Sequence, residues 1–147
     1  MIELLAPQKG EKILDIGSGS GWTAAILSEL VGAGKKGKVI GLELISNLAD
    51  FGRENLKKYG FIKNKTVEII CMDALNGYEK EMPYDKILCS AACRKIPESW
   101  KNQLKIGGVI VSAHNQSIVK IEKKSAHIFS KQEHFGFAFV PFVSDKK

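Results

Sequence analysis

Short runs of branched apolar residues alternate with stretches of helical period along this chain. Ile13, Leu14 and Ile16 predict a buried strand that runs into the glycine-rich turn Gly17-Ser18-Gly19-Ser20-Gly21. From Trp22 to Val31 the apolar residues recur at helical spacing (Trp22, Ile26, Leu30; Leu27, Val31), and Gly32 stops the pattern. Residues 32–37 read as a loop. Lys38 to Glu43 predicts a second strand. Ser46 suits the N-cap of a helix ending near Tyr59-Gly60, with Leu48, Phe51, Gly52, Leu56 and Tyr59 as its buried face. Val67 to Met72 predicts a third strand, followed by a loop-helix region around Leu75 to Lys80. Tyr84 to Ser90 predicts a fourth, with Ile87, Leu88 and Cys89 in the core. Pro97 opens a short helix carrying Trp100 and Leu104, and Gly107-Gly108 turns into a fifth strand, Val109 to Ala113.

The period changes in the tail. Ile118 to Lys124, Ala126 to Lys131 and Phe135 to Phe142 predict strands, with Phe135, Phe137 and Phe139 alternating onto one core face. This succession predicts an α/β fold: a doubly wound, mostly parallel, Rossmann-like sheet with antiparallel C-terminal edge strands. At 147 residues, one domain spanning 1–147 is expected.

Strand, glycine turn and helix in that order place a nucleotide-like ligand at the carboxyl edge of the sheet. The spacing is G-x-G-x-G, not the dinucleotide G-x-G-x-x-G, and an acid, Asp15, precedes it. A carboxylate beside a pyrophosphate cradle would repel the phosphate. It suits S-adenosylmethionine, which carries an ammonium and a sulfonium instead. Glu43, closing the second strand, can accept both ribose hydroxyls, and Asp73, after the third, can accept from an adenine amino group.

Charge adds little. Lys and Arg number 22 against 16 Asp and Glu, for a net charge of +6. The cations fall in small lysine groups (Lys35, Lys36 and Lys38; Lys57 and Lys58; Lys123 and Lys124; Lys146 and Lys147), with only Arg53 and Arg94 as arginines. They read mainly as solvated surface, and RNA stays open as a partner. Of the cysteines, Cys71 and Cys89 are expected in the core and Cys93 in a loop. Their spacing matches no metal site, so no metal is expected. No apolar run reaches membrane-span length and no leader pattern opens the chain, so a cytoplasmic location is expected.

The motifs together resemble a family. Ile13-Leu14-Asp15-Ile16-Gly17-Ser18-Gly19-Ser20-Gly21 is similar to motif I of class I S-adenosylmethionine-dependent methyltransferases. More narrowly, the chain resembles the protein-L-isoaspartate O-methyltransferases. Asp73-Ala74-Leu75-Asn76-Gly77-Tyr78 resembles the family's Asp-Gly-x-x-Gly-Tyr, and Pro83-Tyr84-Asp85-Lys86-Ile87 its Pro-Tyr-Asp-x-Ile. Gln103-Leu104-Lys105 with Gly107-Gly108, and Phe139-Val140-Pro141-Phe142, resemble later motifs. The resemblance implies S-adenosylmethionine as cofactor and S-adenosylhomocysteine as product. It implies Asp15, Gly17, Ser18 and Gly19 for the methionine pocket, with Gly21 completing the turn. Glu43 would serve the ribose, Asp73 and Ala74 the adenine, and Leu44 and Leu75 would wall the ring.

Two departures from the family lie on the acceptor side. The family's N-terminal segment, with an Ile-Ser-x-Pro loop over the cofactor, is expected to be missing. That would leave an apolar face for a second copy or a partner. After strand four the chain reads Ala92-Cys93-Arg94-Lys95 where the family has Ala-Ala-Pro, and after strand five Ser112-Ala113-His114-Asn115 replaces Pro-Val-Gly. Arg94 and Lys95 can pair with an anionic acceptor, and His114 can act as a base for a hydroxyl or amine. These three are the catalytic candidates. The expected function is methyl transfer to a carboxylate of isoaspartyl protein. A minimal methyltransferase for RNA or a small molecule, or a cofactor binder that needs a partner, remain alternatives.

Overall fold

The computed structural model describes residues 1–32 and 36–144; Lys35, Lys146 and Lys147, and part of the predicted loop at 32–37, lie outside them. Seven strands form one sheet: β1 (Lys12–Ile16), β2 (Lys38–Glu43), β3 (Val67–Cys71), β4 (Tyr84–Cys93), β5 (Leu104–His114), β6 (Ser117–Lys123) and β7 (Phe129–Phe135). Their order is β3-β2-β1-β4-β5-β6-β7; the first five run parallel, and β6 and β7 each pair antiparallel with the strand before. The winding direction reverses between β1 and β4, and a crevice opens at such a switch point outside the carboxyl ends of the strands.

The strands alternate between two cores, as a period of two requires. Ile13, Val39, Leu88 and Val111 face α2 (Trp22–Gly32) and α3 (Ser46–Lys58). Leu14, Ile16, Ile40, Leu42, Ile87 and Ile110 face the other way, toward Trp100 on α4 (Glu98–Asn102). The Trp100 side chain is fully buried, and its Nε1–H donates to the Ala74 carbonyl at 2.8 Å, so the indole is both packed and satisfied. A single turn, α1 (Ile2–Leu5), buries Leu5. Among the described residues no helix is long and apolar enough to cross a membrane.

Several details differ from the sequence reading. α2 buries Ala24, Leu27, Ser28 and Val31, while Trp22 is 69% exposed. Two helical stripes compete on this helix, and the one with small residues wins because it lets the helix approach the sheet closely. The buried Ser28 hydroxyl is satisfied by the Ala24 carbonyl at 2.7 Å. α3 likewise buries Ala49, Gly52 and Leu56, leaving Phe51 and Tyr59 exposed. Its N-cap is Ile45, not Ser46, and the Ile45 N–H is taken by the Glu43 carboxylate described below. The region around Leu75 to Lys80 holds only a short 3₁₀ turn, Glu79–Glu81.

β4 runs on to Cys93, which is therefore a buried strand residue, its Sγ 3.9 Å from that of Cys89. Cys71 ends β3 at the sheet edge and is exposed. Leu104 and Gly107-Gly108 belong to β5, whose register against β4 shifts between Tyr84 and Lys86.

The largest correction concerns the tail. Phe135 ends β7 and is 76% exposed; at Gly136 the backbone turns to φ +95° and leaves the sheet. Phe137 stacks on Phe139, ring centroids 6.4 Å apart, and only Phe139 is partly buried. The chain then crosses back to β4, where the Ala92 N–H donates to the Val140 carbonyl (2.7 Å) and the Phe142 N–H to the Ala92 carbonyl (2.9 Å). Pro141, between them, has no N–H to extend a ladder. The stretch from Phe135 to Phe142 is a strap, not a core strand.

Candidate active site

Leu42, near the end of β2, fixes the glycine turn after β1: its carbonyl accepts the N–H groups of both Gly17 (2.9 Å) and Ser18 (3.0 Å). Gly17 and Gly19 adopt φ +73° and +55°, a region that a side chain disfavours. α3 then seats directly on the turn through Gly52. A Cβ at Gly52 would lie 2.8 Å from the Gly19 carbonyl oxygen, and one at Gly21 would lie 2.9 Å from the Gly52 carbonyl oxygen. Neither backbone oxygen can move aside, so the turn and the helix form one unit.

Glu43 joins this unit to β2. Its Oε2 accepts the Gly19 N–H at 2.9 Å, and its Oε1 accepts the Ile45 N–H at 3.0 Å at the head of α3. The carboxylate is 7% exposed and so far spends its capacity on backbone donors. Ionised, it has lone pairs left for two more.

Asp15 lies beneath the turn and is 1% exposed. Neither carboxylate oxygen has a hydrogen-bond partner among the described residues, nor has the buried Ser18 hydroxyl. Burial, and secondarily the charge of Glu43, push the Asp15 pKa up from 3.8 to about 7. A buried acid held in this state is an unpaid cost unless a donor or cation completes it.

The crevice itself has a volume of about 390 Å³, within the range of small-molecule sites. Of the predicted cofactor residues, Gly17, Gly19, Glu43, Leu44 and Ala74 line it. Asp15 and Ser18 lie buried behind the turn, and Gly21 opens instead onto a neighbouring cleft beside Trp22 and Tyr59. Asp73 flanks the crevice between Met72 and Ala74. Its Oδ1 accepts the Leu75 N–H at 2.8 Å and its Oδ2 accepts the Ser144 hydroxyl at 2.7 Å. Leu75 sits beside it, outside the lining. The strap contributes a wall that sequence reading missed: Val140, Pro141, Phe142 and Val143 face the cavity, and Phe142 meets Trp100 edge-on at 5.7 Å. The signal was present in Pro141, which argues against a central strand.

Arg94, Lys95 and His114 do not join this crevice. They line a separate cavity with Lys101 and Lys131.

A protein-family model for Protein-L-isoaspartate(D-aspartate) O-methyltransferase matches residues 1–147. The chain is 41% identical to the protein-L-isoaspartate O-methyltransferase of Methanopyrus kandleri, covering 99% of this chain and 65% of that one. It is 36% identical to the Methanosarcina mazei protein of the same name, covering 97% and 58%. It therefore spans less than two thirds of these relatives' length. A solved protein-L-isoaspartate O-methyltransferase superposes with a TM-score of 0.85 at 27% identity, covering 95% of this chain and 44% of that one. A Plasmodium falciparum structure described as a beta-aspartate methyltransferase, in complex with S-adenosyl-L-homocysteine, superposes at 0.77 with 26% identity, covering 97% and 69%. With the match running from the first residue to the last and the switch-point crevice in place, the chain belongs to the protein-L-isoaspartate(D-aspartate) O-methyltransferase family.

Proposed function

We propose that residues 1–147 act as one domain that binds S-adenosylmethionine in the switch-point crevice and methylates isoaspartyl carboxylates of damaged protein in the cytoplasm. The observation that carries the reading is Asp15, a buried carboxylate with no partner among the described residues beneath a turn of glycines. It asks for a cation, and the methionine ammonium is one. The remaining donor set fits the same molecule. Glu43 has spare acceptor capacity for ribose hydroxyls, and Leu44 and Ala74 offer apolar walls to an adenine. Asp73 can receive the adenine amino group if Ser144 shares or yields its oxygen.

When bound, S-adenosylmethionine supplies an electrophilic methyl group. An isoaspartyl carboxylate is ionised near neutral pH, so no general base is required, and the protein's task is alignment and exclusion of water. Ser90 and Ala91, at the end of β4, form the side of the crevice from which an acceptor can approach. The test is transfer of labelled methyl to an isoaspartyl peptide but not to its aspartyl twin. Turnover on RNA or a small molecule alone would replace the acceptor and leave the crevice assignment standing.

A second reading concerns assembly. Met1, Ile2, Trp22, Ile26 and Leu88, together with Glu3, Thr23 and Ser90, line an open cleft of about 450 Å³ on the α2 side, whose apolar part offers a face to a second copy or a partner. Light scattering across a concentration series checks this: a mass above that of one chain, reverting to it in Trp22→Glu, is the expected result. A strict monomer at every concentration removes the second copy.

A further inference from the structure

The cavity beyond β4 plays no part in the reading above. Arg94 and Lys95 follow β4, Lys101 projects from α4, His114 closes β5 and Lys131 comes from β7, around a space of about 190 Å³. Its floor is apolar: Ile96, Val119 and Ile121 are 7%, 1% and 7% exposed. No acid lines it. Glu98 pairs with Lys101 and Glu133 with Lys131, each at 2.8 Å, from outside the lining. Among the described residues, Arg94 and Lys95 have no carboxylate within ion-pair distance; the pairs of this region are those two. The buried Nδ1 of His114 has no hydrogen-bond partner among the described residues. Behind Lys101 a further ammonium, Lys123, is buried against the Lys101 and Leu104 carbonyls.

Cations of one sign around a low-dielectric floor focus their field into the cavity. We propose that this cavity receives an acidic side chain of the protein substrate, a few residues from the one that is methylated. The inference rests on the reading of the chain as a methyltransferase for peptide carboxylates. Spacing supports it. Ala91 lines the cofactor crevice and Arg94, three residues on, lines this cavity with Lys95, a separation of at most about 10 Å at the ~3.3 Å per residue of an extended chain. The strap covers Ala92 between them, so a peptide that passes over the strap from one site to the other brings a side chain about three residues from the acceptor over the basic rim. The apolar floor fits the methylenes of a glutamate or aspartate. A nucleic-acid strand would need a continuous track and stacking aromatics, and among the described residues no aromatic lines this cavity.

The experiment has two readouts. Fluorescence anisotropy on the full chain compares aspartyl peptides carrying Glu three residues to either side of the central residue with the same peptides carrying Gln. These peptides need no methyl transfer. The acidic member of one pair binds about fivefold tighter at low salt, the effect of roughly one partly exposed ion pair. The preference vanishes in Arg94→Gln and in Lys131→Gln, and fades with added salt. On isoaspartyl peptides the same preference appears in KM, with kcat equal for acidic and neutral members. Equal affinities in the parent protein overturn the proposal even where methyl transfer succeeds. A preference for acidic peptides without any methyl transfer upholds this cavity and defeats the activity. An RNA oligonucleotide that outbinds every acidic peptide, and loses that advantage in the same two variants, also overturns it.

Discussion

Asp15→Asn is expected to stabilise the unliganded protein above neutral pH by on the order of 4 kcal/mol, while weakening S-adenosylmethionine binding by roughly 100-fold. The first figure follows from the displacement of the Asp15 pKa from 3.8 to about 7 at ~1.4 kcal/mol per unit. The sign is set by protons. Between about pH 4 and 7 the folded protein holds a proton on Asp15 that the unfolded chain has lost. Stability from this group is therefore highest below pH 4, falls as pH rises to about 7, and stays low beyond. An asparagine has no such slope. At pH 4 both side chains are neutral and unpartnered, so parent and variant should be alike; at pH 8 they should diverge. Urea unfolding at several pH values reads the difference. The same slope in both proteins would mean that Asp15 ionises freely in the folded state.

The binding loss follows from the proposed charge-assisted contact between the ligand's ammonium and the buried carboxylate. A cationic ligand also draws the Asp15 pKa back down, so binding near pH 6 releases close to one proton. Calorimetry in buffers of different ionisation enthalpy detects that proton in the parent and should find none in the variant. Stability and binding thus pull this side chain in opposite directions, as at other sites kept strained for function.

Glu43→Gln is expected to cost more than its near-isosteric shape suggests. Each carboxylate oxygen now accepts a backbone N–H, from Gly19 and from Ile45. A carboxamide can accept with one atom only; its NH₂ must face a donor. Either the glycine turn or the head of α3 then loses its partner, at about 1–3 kcal/mol for a buried group left unsatisfied. With Glu43 as the proposed ribose acceptor, affinity for S-adenosylhomocysteine should also drop by two orders of magnitude or so, from two charge-assisted bonds weakened together. Calorimetric titration measures that drop, and thermal unfolding of the unliganded protein measures the structural share. A variant that melts like the parent but fails to bind would show that the backbone bonds are dispensable.

What could be read from the sequence was decided by chemistry local to a few residues. The turn Gly17-Ser18-Gly19-Ser20-Gly21 between a branched apolar run and a helical period admits few structures, and Glu43 follows from the end of the next strand. The open crevice between β1 and β4 follows from the order of elements. Helix faces were not decided locally. α2 is apolar on more than one side, so periodicity alone cannot choose between Trp22 and Ala24; the sheet chooses the smaller side chain. On α3 the choice belongs to Gly52, whose role depends on a turn thirty-odd residues earlier. The strap was illegible for a related reason. Alternating phenylalanines fit a strand, but Gly136 and Pro141 break the ladder, and the pairing partner, Ala92, lies far back in the chain. The unpartnered state of Asp15 could not be read at all, since it depends on what surrounds the carboxylate in three dimensions.

The strap has a consequence for how the protein is made. Gly17 leaves the ribosome long before Val140 and Phe142, yet both ends border one cavity. No nascent chain can offer a closed binding site until translation has passed residue 143, so the ligand cannot act as a template for the early sheet. Until then the fold carries the buried Asp15 carboxylate without the cation proposed for it.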